Sequence, residues 1–127
     1  MPTPPIHTSW SSIPIEPMTP LLGRQFVVGT NIMVSRITLA KGAHVPLHSH
    51  ANEQIAILLT GCLRFVLYDP GSREVILRPG ELLCIPPNLP HEAFALEDTV
   101  NLDLFNPPRQ DWIDGNDAYL RQQPSTE

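Results

Sequence analysis

Three histidines and an amide fall within HVPLHSHANEQ, residues 44–54, in a chain of 127 residues that has only five histidines. His48, His50 and Gln54 share even parity. Side chains alternate faces along a strand, so pairing that continued across Ala51 to Glu53 would turn all three to one side. Two imidazoles at i and i+2 can share one divalent ion, and an amide oxygen supplies a harder third ligand. The plainer alternative is a pair of exposed histidines on an edge strand. A further candidate is His91, presented by the proline-rich turn that ends GELLCIPPNLPH. His44 precedes Pro46 and is expected outside the ligand set, as is His7 near the N-terminus. Glu53, of opposite parity, is expected to point away as a surface or interface carboxylate.

A second group lies in NLDLFNPPRQDW. Leu102 and Leu104 alternate with Asn101, Asp103 and Phe105, so one face is apolar and the other carries a carboxylate beside an aromatic ring. Composition alone would turn Asp103 to solvent. Arg36 and Arg64 occupy strand positions from which they could line a pocket, although a solvated or interface role is the plainer one for each. Arg109 is better suited than a lysine to grip a carboxylate, because its planar guanidinium binds in a bidentate way.

The elements that must hold these residues read as short strands. Fifteen prolines and few segments of helical period argue against a helical bundle. Residues 1–22, with prolines at 2, 4, 5, 14, 17 and 20, read as an extended arm. From Gln25 on, QFVVG, NIMVSRITLA, AHVPLHSH, EQIAILLTG, CLRFVLYD, REVILR, ELLCIPP, EAFAL and TVNLDLF alternate with Gly or Pro turns. Strands at such spacing suggest an all-β sandwich or barrel, and a small jelly roll fits best. QIAILL is apolar at both parities, so one face should meet the interior and the other a second sheet or subunit, which makes a homodimer the expected assembly. DWIDGNDAYLR could form a short helix, and QQPSTE reads as frayed.

Length allows one domain. No run approaches the roughly 18–20 apolar residues of a membrane span. The opening MPTPPIHTSW lacks the basic start and apolar core of a secretory signal, so a cytoplasmic location is expected. Net charge is −5, and Lys41 with seven scattered arginines forms no basic stripe, which disfavours nucleic acid as a partner. Cys62 and Cys84 lie in apolar stretches without C-x-x-C spacing and read as reduced, buried thiols.

The spacing of Gly42, five residues, His48-Ser49-His50, three residues, Gln54, six residues and Gly61 resembles the first cupin motif. Gly80, five residues, Pro86 and then His91 resembles the second. The resemblance covers residues 42–95 and implies a single-domain jelly-roll barrel over 23–108, with the arm at 1–22 and a short helical tail at 109–127. It implies one divalent transition metal ion, iron, manganese, nickel, copper or zinc, on His48, His50, Gln54 and His91. Three positions depart from the motifs: Gln54 stands for the usual glutamate, Asn88 for a glycine and Ala95 for an asparagine. An amide in place of a carboxylate leaves a bound ion more Lewis acidic. Asn88 can supply the left-handed backbone a glycine would.

Asp103, Phe105 and Arg109, taken with HSHANEQ, resemble the pattern of cupins in the pectin-degradation branch, which linearise 4,5-unsaturated monouronates. The resemblance implies proton handling by Asp103, and substrate contacts by Phe105 and Arg109, on a small carboxylate or sugar acid. Two other functions remain open: a different metal-dependent cupin enzyme, such as a dioxygenase or lyase on a small organic substrate, and a non-catalytic module that binds a sugar or other small molecule. No helix-turn-helix accompanies the motifs, so a cupin-type transcription regulator is not supported.

Overall fold

MVSRITL, Met33–Leu39, alternates buried and half-buried residues without a break, and its neighbour Thr99–Asn106 does the same up to its last residue, so the chain builds two-faced antiparallel strands. The computed structural model describes residues 4–121. Ten strands follow in order: β1 Glu16–Thr19, β2 Leu22–Val28, β3 Met33–Leu39, β4 His44–His48, β5 Glu53–Thr60, β6 Leu63–Leu67, β7 Arg73–Leu77, β8 Leu82–Ile85, β9 His91–Ala95 and β10 Thr99–Asn106. They form a six-stranded sheet in the order β1-β2-β3-β10-β5-β8 and a four-stranded sheet in the order β4-β9-β6-β7. Every recorded pairing is antiparallel, and the two sheets face each other as an all-β jelly roll.

Cross-strand register sorts the six-stranded sheet into rows. Val28, Met33, Phe105, Gln54 and Ile85 form one inward row; Phe26, Ser35, Asp103, Ala56 and Leu83 form the next; Arg24, Ile37, Asn101 and Leu58 the one below. Met33, Ala56, Leu58, Ile85 and Phe105 are buried there against Phe65, Leu67, Leu77 and Ala93 of the other sheet. The polar residues of the interior, Gln54, Asn101 and Asp103, thus stand on adjacent rows of two paired strands. Leu102 and Leu104 point outward instead, beside Ile55 and Ile57 of β5.

Turn chemistry follows the sequence closely. Asn88 has φ 67° and Gly61 φ 92°. A Cβ on Gly61 would lie 2.4 Å from the Asp98 carbonyl oxygen, so only glycine fits between β5 and β6.

The arm and the tail gain detail, and one expectation, a buried Cys84, changes. Within the extended arm, Glu16–Thr19 forms β1 and pairs with β2, while Gln25 donates to the Trp10 and Ile13 carbonyls at 2.7 Å each, so the arm is sewn to the sheet. Cys62 is buried as expected, but Cys84 is exposed, because it faces outward on β8 at the edge of the sheet. The tail forms one helical turn, α1 Gln110–Ile113, and then a 3-10 turn Ala118–Arg121, broken at Gly115 with φ 77°. QQPSTE lies outside the described residues. Among the described residues, no helix is long and apolar enough to cross a membrane.

Candidate metal centre

His48 closes β4 and pairs directly with His91, which opens β9, so the four-stranded sheet brings these two rings together. His50 arrives differently. β4 ends at His48 and β5 begins at Glu53, so His50 sits in the turn between strands of different sheets. The continuous strand that parity assumed is absent, and the turn carries the ring back toward the pair. Asn88 donates its N–H to the His50 carbonyl at 2.7 Å, and Asn52 donates to the Pro107 and Pro108 carbonyls at 2.6 and 3.1 Å, which pins this turn on both sides.

In each ring Nδ1 meets a backbone carbonyl: His48 that of Pro46 at 2.7 Å, His50 that of Asn52 at 2.9 Å, and His91 that of Leu89 at 2.8 Å. A carbonyl only accepts, so Nδ1 carries the proton and Nε2 is left with its lone pair, the form that binds a metal. Donor nitrogens of the three rings lie within 4.8 Å of one another. His91 Nε2 is buried with no protein partner. Burial first, and then mutual repulsion with His91, lowers the His48 pKa to about 3. Burial and then Arg109 lower that of His50 to about 4. Burial lowers His91 as well. All three are neutral near pH 7.

Gln54 lies beside these rings. Its Nε2 donates to Asp103 Oδ1 at 2.9 Å, which turns Oε1 toward the histidines, 3.1 Å from His50 Nε2. Two lone-pair atoms so close repel unless a cation lies between them. Donors about 2.1 Å from one ion stand about 3 Å apart, so the spacing and the chemistry both fit a bound divalent metal. Asp103 is 7% exposed and accepts a second bond from Asn101 Nδ2 at 3.0 Å. Burial raises its pKa to about 6 against these two donors and Arg109.

Phe105 is buried, with its ring edge-on to His50 at 5.7 Å and to Trp112 at 5.2 Å. Arg109 is 2% exposed, its guanidinium 5.1 Å from the Phe105 ring centre and 4.9 Å from that of Trp112. Nε and Nη2 form a fork on Asp111 at 3.0 and 2.8 Å, and Nη2 also donates to the Tyr119 hydroxyl at 2.5 Å. Burial works against this charge, but Asp111 and Tyr119 more than offset it and hold the arginine above its ordinary value. His48, Gln54, His91, Asp103, Phe105 and Arg109 all line one cavity.

The tail supplies residues that sequence patterning did not single out. Tyr119 stacks on His48 at 4.7 Å and, with Trp112 and Leu120, lines the same cavity. The only signal was two aromatic residues in a stretch read simply as a short helix. Arg24 and Asn101 also line the cavity, whereas Arg36 and Arg64 do not: Arg36 donates outside the barrel to Gln25, and Arg64 pairs with Glu74 beneath Phe94. His44 stacks on Phe94 and bonds Glu92 at 3.0 Å, away from the cluster. Glu53 and His7 are exposed.

The cupin domain family model matches residues 35–105. Among solved structures, KdgF from Halomonas sp. is 26% identical with a TM-score of 0.73, over 82% of this chain and 96% of its own. An RmlC-like cupin from Shewanella frigidimarina is 24% identical with a TM-score of 0.74, over 83% of this chain and 93% of its own. An oxalate decarboxylase from Bacillus subtilis, a protein with Mn(II) centres, shares the fold at 23% identity and a TM-score of 0.73. This chain covers 79% of its own length and 29% of the decarboxylase in that match. No curated protein sequence matches the chain significantly.

Proposed function

The chain belongs to the cupin family, and from that premise we propose that it is a metal-dependent enzyme that converts 4,5-unsaturated monouronates to linear keto forms. The observation that carries this reading is Asp103: a buried carboxylate one hydrogen bond from Gln54, in the cavity that His48 and His91 line. Likeness to KdgF over 96% of that chain supports it.

His48, His50, His91 and Gln54 would hold one divalent ion, which supplies Lewis-acid polarisation of the substrate's oxygens. The remaining work falls to the chain. Asp103 takes the proton of the anomeric hydroxyl as the bond from the anomeric carbon to the ring oxygen breaks, which leaves an aldehyde and an enolate. The same carboxyl returns that proton to the alkene carbon next to the carbon that bears the enolate oxygen, and the enolate becomes a ketone. The product is an isomer of the substrate, so no oxidant or second substrate is needed. A pKa raised to about 6 suits a group that must both accept and donate a proton. Arg109 has Nη1 outside its Asp111 and Tyr119 contacts and would direct it to the substrate carboxylate, while Phe105 closes the wall behind.

Metal-loaded protein should bleach the ultraviolet absorbance of an unsaturated monouronate, and Asp103→Asn should cut that rate by about 100-fold or more while metal content stays stoichiometric. Absence of bleaching by the loaded protein would leave a different cupin enzyme or a binding module. Chelation should abolish the activity, and added metal should restore it. The same reading takes the protein as a cytoplasmic homodimer, with the outward apolar face of the six-stranded sheet as the contact.

A further inference from the structure

Two buried polar atoms on the inner face of the six-stranded sheet have no protein partner, and they are complementary. Arg24 on β2 is 3% exposed and Asn101 on β10 is 2% exposed, and both line the cavity. Register puts them in one row, Arg24 opposite Ile37 and Ile37 opposite Asn101. Arg24 gives Nε and Nη2 to Glu16 Oε1 at 3.2 and 2.7 Å, and Nη2 lies 2.8 Å from Asp117. Its Nη1 is unpaired. Trp112 holds the guanidinium in place at 4.7 Å. Asn101 gives Nδ2 to Asp103, and its Oδ1 is unpaired.

A donor and an acceptor left unmatched in a dry interior are each costly, so a group that serves both is favoured there. Its chemistry is restricted. Glu16 and Asp117 already balance Arg24, and Arg121 pairs with both, so this corner has no call for another anion. A carboxylate cannot donate to Asn101 Oδ1, and an ammonium cannot accept from Arg24 Nη1. A hydroxyl does both.

We propose that Arg24 Nη1 and Asn101 Oδ1 form a hydroxyl-reading pair, so that the cavity takes a hydroxylated sugar acid with one ring hydroxyl between them. The identity of the ligand as a sugar acid rests on the uronate reading above; the hydroxyl chemistry does not. One oxygen of Asp103 accepts from both Gln54 and Asn101, so the pair begins a single carboxylate away from the proposed metal ligand. Arg24 and Asn101 then select the substrate, while Asp103 acts on it.

Calorimetric titration of metal-loaded protein with D-galacturonate and each of its monodeoxy analogues tests the pair. One analogue should bind wild type roughly tenfold or more weakly than the parent. Arg24→Lys keeps the cation for Glu16 and Asp117 but lacks Nη1, and in that variant the same analogue and the parent should bind alike. Equal binding of every analogue to wild type, or a penalty undiminished in Arg24→Lys, overturns the proposal. Should no uronate bind wild type, the uronate reading falls alone, and crystals of wild-type protein soaked in glycerol decide the rest. A glycerol hydroxyl bonded to both atoms supports the pair, and a water held there in its place overturns it.

Discussion

Gln54 stands where the cupin pattern has a glutamate, and its neighbours give the reason. Its amide N–H bonds Asp103 while its oxygen faces His50, so one side chain serves two sites that want opposite polarity. A glutamate would set two carboxylates about 3 Å apart and hold one of them protonated. Gln54→Glu should therefore keep its metal, measured by elemental analysis, yet lose uronate turnover by at least about tenfold. Titration gives a second prediction at this scale. His48 and His50 fall from an ordinary value near 6.5 to about 3 and about 4, so the unfolded chain binds protons that the fold refuses. Their contribution is complete above pH 6.5 and is lost as pH falls toward 4. Asp103, raised to about 6, acts in the opposite sense, and its contribution is complete below its unfolded value near 3.8. Metal-free protein should thus lose on the order of 1–2 kcal/mol per pH unit between pH 6 and 4. Asp103→Asn should steepen that loss in denaturant titrations, because it removes the opposing group.

The tail is the element that completes the cavity. Tyr119 and Trp112 reach the site only because α1 and the 3-10 turn Ala118–Arg121 are fastened to the barrel. The fastening is ionic. Asp117, 1% exposed, lies 2.8 Å from Arg24 and 3.1 Å from Arg121, and Arg121 reaches Glu16 of β1 at 3.0 Å. Arm, sheet and tail are joined at this one cluster. Asp117→Asn leaves a buried guanidinium with only the half-exposed Glu16 as counter-charge. It should cost about 3 kcal/mol and lower Tm by roughly 10 °C in thermal unfolding. A change within 2 °C or so would mean that the clasp adds little.

At the scale of the molecule, the six-stranded sheet has two apolar faces. Inside is the core. Outside, Val27, Val34, Leu104 and Ile55 form one row and Leu102, Ile57 and Leu82 another, with Leu82 62% exposed. A contiguous apolar patch of this kind suits an interface, and the homodimer proposed above would set the same flat face of a second copy against it. Sedimentation should give twice the 14.1 kDa chain mass, and Leu102→Glu should return it to the monomer. A wild-type monomer at micromolar concentration would refute the dimer.

The strands β2 to β10, the turns at Gly61 and Asn88, and the chemical identity of the donors are local properties, and the sequence alone determined them. Period-two alternation and positive φ are written in neighbouring residues. The convergence of His50, the burial of Asp103 and the arrival of Arg24 and Tyr119 are not local. His50 leaves the strand that parity assumed, and Asp103 faces inward because outward Leu102 and Leu104 occupy the other face of β10. Arg24 lies 79 residues from Asp103 along the chain, as the numbering shows, and joins the cavity through the register of β2 and β3 against β10. Which face of a strand is inside, and which distant residues share it, depends on how the sheets close on each other, and only the tertiary structure decides that.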